Sequence, residues 1–313
     1  MKFTIGLPIT KVRFLDETLK SIENQTLDDY EVVIRNNGST ENERKDIRNA
    51  CSKFLEKSNA QYYENTEHLN ISVNFNKILE KAQGKYLTIL SDDDIIQPEF
   101  LEKFNHLIVK YPSVNIYHCR VKRINENNQL IDFTENCPEY ESLPDFVYHR
   151  MVGNRTLYLS DFVYSTAKLK EINGFVVFPY GWGIDDITWC KLGMNGFGFT
   201  SSILLNYRVS SLNFTNQQST VLRRINDLDF IKEEYEKIIL SPTFITSSGY
   251  PVDFLIDKNK ERIERMRNDI IVSFIKSSNW VQIVLLYFKS RNHKYIFFKS
   301  IKKRLVKKVF INL

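Results

Sequence analysis

Residues 70–98, NISVNFNKILEKAQGKYLTILSDDDIIQP, combine a helical pattern, an apolar run and three consecutive acids. The apolar run from Tyr86 to Leu90 is typical of a buried strand in a parallel sheet. Asp92, Asp93 and Asp94 follow it directly, and adjacent carboxylates repel one another unless a cation or polar ligand lies among them. Because ligands of open α/β sheets bind beyond the carboxyl ends of the strands, the run predicts a divalent-metal site or, alternatively, a solvated loop that caps the next helix.

The first third of the chain alternates strand and helix patterns. Apolar runs predict strands at 3–7, 30–35, 61–64 and 86–90. Apolar residues at helical spacing predict a helix over about 12–25 and one helix after each of the next two strands. Thr40 and Glu43 are predicted to cap the second helix as a capping box, and Ser72 is predicted to cap the third. This βαβαβαβ order predicts a parallel sheet with helices on both faces.

The pattern changes beyond the acidic run. It predicts a hairpin over 114–133 that turns at 126–129, a strand at 157–163, a helix at 165–172 and a strand at 203–207. Residues 217–240 and most of 257–313 read as helices, separated by a break at 241–251. We therefore expect an α/β domain over 1–215 and a helical C-terminal region over 216–313.

The composition is that of an ordinary globular protein, with 42% hydrophobic and 26% charged residues in a chain of 313. No apolar run reaches the ~20 residues that span a bilayer, and the amino terminus enters a strand pattern without the apolar segment of a signal peptide. The four cysteines are scattered without zinc-type spacing, which predicts reduced thiols in a cytoplasmic protein; they are Cys51, Cys119, Cys137 and Cys190.

The positive charge of the chain is concentrated at its end. Residues 291–313 contain eight Lys or Arg and no acid. Because the net charge of the whole chain is +5, residues 1–290 carry a net charge of about −3. The body is therefore not expected to bind nucleic acid. Four apolar residues of the tail share one helical face: Phe297, Ile301, Leu305 and Val309. Such a basic amphipathic helix favours an anionic membrane surface, here the inner face of the cell membrane; the alternative is a helix that packs on the body and exposes its lysines.

Five segments, taken in order, resemble family-2 glycosyltransferases of the GT-A fold. They are FTIGLPIT (3–10), SIENQTLDDYEVVIRNNGST (21–40), the stretch 70–98, LKEINGF (169–175) with GWGIDDITW (181–189), and YRVSS (207–211). The resemblance covers about residues 2–212. It implies a Rossmann-like, mostly parallel α/β sheet with a C-terminal helical extension. It also implies inverting transfer of a hexosyl or N-acetylhexosaminyl group, with a UDP-sugar as the expected donor. The acceptor would be a hydroxyl of a glycan or a lipid-linked saccharide in polysaccharide biosynthesis at the cell envelope.

The resemblance also implies a donor site. Its residues would be Pro8, Thr10, Asn36, Asn76, Asp92 and Arg208. Asn36 and Asn37 replace two acids of the family pattern; an amide can donate and accept and so can still pair with uracil, whereas the alternative is that both simply form the turn. Arg208 could hold the diphosphate with its guanidinium fork; the alternative is a surface arginine.

The metal site implied by the resemblance is short of one acid. Asp93 matches the metal-binding acid of the family and Asp94 flanks it, while Ser91 stands where the family has its first acid. The expected cofactor is Mn²⁺ or Mg²⁺, which would bridge the phosphates of the donor.

A second acidic pair points to catalysis. Asp186 matches the general base of the family and Asp185 its acidic neighbour, and an inverting transfer needs such a base to accept the proton of the attacking hydroxyl. The alternative is two acids that merely stabilise a helix N-terminus. Trp182 could stack on the acceptor sugar. Because Ser91, Asn36 and Ser210 depart from the family pattern, a module that binds glycan or nucleotide-sugar without turnover is the competing hypothesis.

Overall fold

The computed structural model describes residues 1–57, 60–213 and 220–277. The strands found there all join one sheet; they are β1 (Phe3–Ile9), β2 (Tyr30–Asn36), β3 (Ala60–Glu64), β4 (Tyr86–Ile89), β5 (Ile95–Ile96), β6 (Ile116–Ile124), β7 (Leu130–Phe133), β8 (Tyr140–Glu141), β9 (Phe162–Ser165) and β10 (Phe197–Arg208). The α-helices of the same part are α1 (Leu15–Glu23), α2 (Glu41–Lys57), α3 (Ile71–Lys81), α4 (Phe100–Lys110), α5 (Leu143–Val152), α6 (Thr166–Glu171), α7 (Ile184–Leu192), α8 (Val221–Ile239), α9 (Pro242–Ser247) and α10 (Val252–Ser277).

The strand order is β3-β2-β1-β4-β9-β6-β10-β5, with β7 added to β6 and β8 to β10. The first four strands of that order run parallel, and β1 lies between β2 and β4. β6 and β10 also pair in parallel, whereas β9 joins the two parallel groups through short antiparallel pairs. Parallel strands β1, β2 and β4 therefore end at one edge, where the sequence predicts the donor site.

Each face of the sheet is covered by its own layer of helices. Along β2, Val33 is buried in one core and its neighbours Val32 and Ile34 in the other, as expected when successive side chains point to opposite faces. Helices α1, α2 and α4 cover the face of Val32, and α3, α5 and α7 cover the face of Val33. The predicted α/β sheet with helices on both faces is confirmed.

The C-terminal helices belong to the second of these cores. Tyr235 of α8 and Ile263 of α10 are buried in the same cluster as Trp189 of α7. Because they share this core, the described helices beyond residue 220 pack directly on the α/β body. The division near residue 215 stays a prediction, and the basic tail lies outside the described residues. None of the described helices is long and apolar enough to span a membrane.

Local signals show where sequence patterns suffice and where they fail. The capping box is confirmed, because the Glu43 amide donates to Thr40 Oγ1 at 3.2 Å and the Thr40 amide to Glu43 Oε2 at 3.0 Å. Ser72 as the cap of α3 is wrong: Asn70 is the cap, and its side chain accepts from the Ser72 amide at 3.0 Å. The strand predicted at 157–163 is displaced, since a 3₁₀ turn precedes β9.

Candidate active site

The acidic run following β4 lies beside the loop that follows β1. Asp92 Oδ2 accepts hydrogen bonds from the amides of Thr10 and Lys11, at 2.7 and 3.0 Å, and from the Thr10 hydroxyl at 3.1 Å. Burial raises the pKa of Asp92, as does the neighbouring Asp93 charge, while the Lys11 charge opposes the rise. Two loops whose residues Thr10 and Asp92 are 82 positions apart in the chain are thus joined at one carboxylate, as the sequence predicts.

Lys11 is the cation of this cluster. Its ammonium lies 2.8 Å from Asp93 Oδ2 and 3.4 Å from Asp92 Oδ1. Burial alone lowers the pKa of an ammonium, but the charges and hydrogen bonds of the two carboxylates outweigh it and raise the pKa of Lys11. The lysine side chain is 23% exposed, against 6% and 3% for the two carboxylates, so it is the solvent-facing member of the cluster.

Asp94 faces the interior. Its oxygens accept from the Ser160 hydroxyl at 2.7 Å and from the Arg208 amide at 3.0 Å. Burial, together with the Asp93 charge, raises the pKa of Asp94 to about 8. Both oxygens therefore bind groups of the protein, an arrangement that favours a structural role for Asp94 over the predicted metal ligation.

These residues do not form a divalent-metal site as they stand. The described part of the chain contains no cluster of three His, Cys, Asp or Glu that could hold a metal ion. Ser91 supplies no carboxylate, and its backbone amide donates to Ser160. Asp92 and Asp93 are both already paired with Lys11, and Asp92 also accepts from the amides of Thr10 and Lys11. Since a hard cation is usually bound through one or two carboxylates plus substrate phosphates, only a metal that displaced this ammonium would fit.

Arg208 lies directly behind the acidic run. Its guanidinium donates to the Asp93 carbonyl at 3.0 Å, to Glu17 Oε2 at 2.9 Å and to Asn128 Oδ1 at 2.7 Å. It also lies over the Phe14 ring, 4.2 Å from the centroid. The residue is fully buried, so the alternative of a surface arginine is wrong. Its engaged donors favour support of the loop over the predicted grip on a diphosphate.

The predicted nucleotide residues meet at the edge of the sheet, where Ile9 pairs with Asn36 and Pro8 with Arg35. The Asn36 amide group donates to the Arg44 carbonyl at 2.8 Å, and its oxygen accepts from the Gly38 amide at 3.1 Å. This arrangement corresponds to the turn-forming alternative. Pro8 lies one residue before the end of β1 and Thr10 directly after it.

The side chain of Asn76 is bound to the backbone of Phe175. Its side chain accepts from the Phe175 amide at 2.7 Å and donates to the Phe175 carbonyl at 3.0 Å. Gly174 has φ +82°, and a Cβ there would lie 2.3 Å from Asn76 Oδ1. Asn76 therefore fixes the turn before the 176–183 loop, a role that differs from the predicted contact with the donor.

The second acidic pair opens α7, and its two members have different environments. Asp186 is buried; Arg150 of α5 donates to both of its oxygens, at 2.8 and 3.2 Å, and Arg262 of α10 donates to Oδ2. Burial opposes ionisation, but the charges of Arg150 and Arg262 prevail and lower the pKa of Asp186. Asp186 is therefore a fixed carboxylate with both oxygens engaged.

Asp185 is the more accessible of the two. The side chain is half-buried, and one oxygen accepts from the Asp186 amide at 3.0 Å. Burial and the adjacent Asp186 charge raise the pKa of Asp185 to about 6. A carboxylate with a pKa near the working pH is better suited to accept a proton than one held by two arginines.

The loop before α7 is anchored by α8. The amides of Trp182 and Tyr180 donate to the two oxygens of Asp227, at 2.9 and 3.4 Å. Arg224, one turn earlier on α8, lies 5.9 Å from the centroid of a Trp182 ring. The indole of Trp182 is half-buried. The predicted acceptor residue is thus held near Asp185 by a helix that the sequence assigns to the C-terminal region.

The sequence did not indicate three residues of the site: Lys11, Arg150 and Arg262. Lys11 lies one residue beyond the first motif, and that proximity is the one signal that could have drawn attention to it. Arg150 and Arg262 stand outside every motif, and 36 and 76 residues separate them from Asp186.

Comparison with known proteins identifies the family. The family model described as glycosyl transferase family 2 matches residues 10–163. The chain belongs to glycosyl transferase family 2. It is therefore a glycosyltransferase. The matched segment contains Lys11 and the acidic run but ends before Asp185 and Asp186.

Two relatives of this glycosyltransferase are themselves named glycosyltransferases. GlyA of Streptococcus pneumoniae is 26% identical over 171 residues, which are 54% of this chain and 23% of GlyA. TuaG of Bacillus subtilis, attributed to teichuronic acid biosynthesis, is 25% identical over 229 residues, 70% of this chain and 86% of TuaG. The chain thus matches about a quarter of the length of GlyA and most of TuaG.

Solved structures confirm the GT-A fold. Residues 1–349 of S. aureus TarS in complex with UDP-GlcNAc match with a TM-score of 0.63 and 16% identity, over 96% of this chain and 88% of that one. The mannosyltransferase PcManGT of Pyrobaculum calidifontis, in complex with GDP-Man and Mn²⁺, matches with a TM-score of 0.54 and 15% identity, over 98% and 88%.

Proposed function

We propose that this glycosyltransferase moves a sugar, with inversion, from a nucleotide-diphosphate donor to a hydroxyl of a saccharide acceptor. The observation that carries the proposal is the pair Asp185 and Asp186. The first is a half-buried carboxylate with a pKa raised to about 6, and the second is fixed by two arginines. Such a division of one acidic pair into a proton acceptor and an anchored neighbour suits general-base catalysis.

In this mechanism Asp185 accepts the proton of the acceptor hydroxyl. The hydroxyl oxygen then forms the new bond to the anomeric carbon from the face opposite the diphosphate, which inverts the configuration. The bond between that carbon and the diphosphate oxygen breaks, and its electron pair leaves with the diphosphate. The sequence assigns the base role to Asp186; its engaged oxygens and lowered pKa are the reason for proposing Asp185 instead.

The donor would lie across the ends of β1, β2 and β4, near Pro8, Asn36 and Asp92. A UDP-sugar carrying a hexosyl or N-acetylhexosaminyl group is the proposed donor, supported by the likeness in fold to TarS, which is solved with UDP-GlcNAc. The Mn²⁺ or Mg²⁺ cofactor stays a prediction. Such an ion would have to displace Lys11 from Asp93.

The acceptor would approach past Trp182, which lies two residues before the start of α7. A glycan or lipid-linked saccharide of a cell-envelope polysaccharide is the proposed class, supported by the similarity to TuaG. A cytoplasmic enzyme at the inner face of the membrane would meet such an acceptor. The non-catalytic alternative remains because Ser91 and Asn36 depart from the family pattern.

Donor hydrolysis tests the proposal. The protein is incubated with UDP-hexoses, UDP-N-acetylhexosamines and GDP-mannose, and nucleotide release is followed without acceptor. We expect slow release of UDP from one of the UDP-sugars and its loss in Asp185→Asn. Tight binding of a nucleotide-sugar without any release, with or without saccharide acceptors, would support the non-catalytic alternative; no binding at all would refute both.

A further inference from the structure

The cation between Asp92 and Asp93 belongs to the chain itself. Lys11 Nζ lies 2.8 Å from Asp93 Oδ2 and 3.4 Å from Asp92 Oδ1, at the end of the parallel strands where the donor phosphates are proposed to lie. An ammonium has three N–H donors. Because the Lys11 side chain is 23% exposed, its ammonium can also donate to a ligand on the solvent side of the cluster.

Hydrogen bonds to Asp92 fix the position of Lys11. The amides of Thr10 and Lys11 and the Thr10 hydroxyl all donate to Asp92 Oδ2. This three-fold anchor fixes the backbone from which the lysine extends. The same carboxylate that holds the backbone also accepts the ammonium through its other oxygen, so the side chain is oriented from both ends.

Among the described residues around the acidic run, Lys11 is the cation that faces solvent. The Arg208 guanidinium is fully buried and engaged by Glu17, Asn128 and a backbone carbonyl. Asp94 is turned inward to Ser160. A divalent ion on Asp93 would stand within a few ångströms of the ammonium, and the two positive charges would repel each other strongly at that distance.

We propose that Lys11 supplies the positive charge that receives the leaving diphosphate, so that this enzyme binds its nucleotide donor without a divalent ion. The inference rests on the proposed function and deepens it. When the bond between the anomeric carbon and the diphosphate oxygen breaks, the electron pair stays on that oxygen. The fixed ammonium stabilises the charge that develops there, as preorganised cations do at other transferring phosphates.

The test is nucleotide binding, measured by calorimetry with UDP and with GDP, in EDTA and in Mn²⁺. The variants are Lys11→Met, which removes the charge, and Lys11→Arg, which keeps it; Lys20→Met, at an exposed lysine of α1, is the matched control. We expect the wild type to bind with Kd values within threefold in the two buffers. Lys11→Met should lose at least tenfold in EDTA and recover in Mn²⁺, because Asp93 is then free for the metal. Lys11→Arg and Lys20→Met should bind in EDTA as the wild type does.

Wild-type binding that requires Mn²⁺, or unchanged binding of Lys11→Met in EDTA, would overturn the inference while leaving the proposed function intact. Failure of the wild type to bind either nucleotide in both buffers would overturn the proposed function as well. Should Lys11→Met fail to fold, Asp93→Asn decides. This variant releases the Lys11 ammonium from one carboxylate, so it should bind UDP in EDTA at least as tightly as the wild type does. If the site instead depends on a metal, the same variant should lose UDP binding in Mn²⁺.

Discussion

Arg262 of α10 donates a hydrogen bond to Asp186 of α7 across 76 residues of sequence, and both side chains are almost fully buried. Arg150 of α5 completes the grip on the same carboxylate. A helix of the C-terminal region thus helps to fix the acidic pair of the proposed active site. The finding links the stability of the C-terminal helices to the geometry of Asp185, which lies in the same first turn of α7 and accepts from the Asp186 amide.

Arg262→Met should destabilise the protein and lower its activity together. Removing one partner of a buried ion pair typically costs about 3 kcal/mol when the other charge is left uncompensated, and because Arg150 stays paired with Asp186 the loss here should not exceed that figure. Urea unfolding should show this loss in the free energy of unfolding, and kcat should fall more than KM rises because Asp185 is displaced. Lys260→Met is the control, because Lys260 is an exposed residue of the same helix that pairs with the exposed Asp257.

A double-mutant cycle separates the contact from its surroundings. Arg262→Met and Asp186→Asn, singly and combined, should show a coupling free energy above about 1 kcal/mol, as expected for groups in direct contact. Additive effects within about 0.5 kcal/mol would show that the contact contributes nothing specific.

Asp185→Asn should lower kcat by two or more orders of magnitude, as expected for loss of a general base, with UDP affinity little changed. The pH dependence follows from the same group. Because a base must be deprotonated and the pKa of Asp185 is raised to about 6, kcat/KM of the wild type should rise tenfold per pH unit below pH 6 and level off above it. Initial rates between pH 4.5 and 8 measure this limb.

Asp186→Asn gives the complementary result. We expect mainly lower stability, because Arg150 and Arg262 lose their charged partner. A kcat loss that is larger for Asp186→Asn than for Asp185→Asn, in protein shown to be folded, would return the base role to Asp186 as the sequence predicts. If neither substitution changes kcat, the acidic pair serves the helix alone.

The fold could be predicted from the sequence because its signals are local. A continuous apolar run marks β2, and the capping box of Thr40 and Glu43 forms as its spacing indicates. Ser72 is not the cap because Asn70, two residues earlier, can also accept a backbone hydrogen bond and occupies the N-cap position. Competing polar residues at a helix start are not ranked by pattern alone.

The site could be predicted only in part, because its charges are balanced across long distances. The motifs indicated Asp92, Asp93, Asp185 and Asp186, and they predicted that Thr10 and Asp92 belong to one site, where the two residues are in contact. They could not show that Lys11 lies between the carboxylates. An ion pair depends on which loops meet, and the two loops here meet only after the parallel sheet has formed.

Arg208→Met should act on stability more than on the donor. The guanidinium is buried and joins Asp93, Glu17 and Asn128, so its loss should lower the free energy of unfolding by about 3 kcal/mol. UDP affinity of the folded protein should change less than threefold. Arg13→Met, at an exposed arginine paired with Glu126, should change stability by less than about 1 kcal/mol. Normal stability of Arg208→Met with tenfold weaker UDP binding would instead establish the predicted grip on the diphosphate.

The basic tail should bring the enzyme to anionic membranes. Each Lys or Arg near such a surface contributes about 1 kcal/mol, and residues 291–313 contain eight of them. We expect the intact chain to co-sediment with phosphatidylserine vesicles, less so at 0.5 M salt but still measurably, since the apolar face of Phe297 and Leu305 is not screened.

Removal of residues 291–313 should abolish sedimentation and spare donor hydrolysis, because the proposed catalytic residues lie before residue 213. A full-length variant with Lys302, Lys303, Lys307 and Lys308 changed to Gln separates loss of the charges from loss of the segment. Equal sedimentation of intact and truncated protein, or unfolding on truncation, would contradict a membrane role and favour a tail that packs on the body.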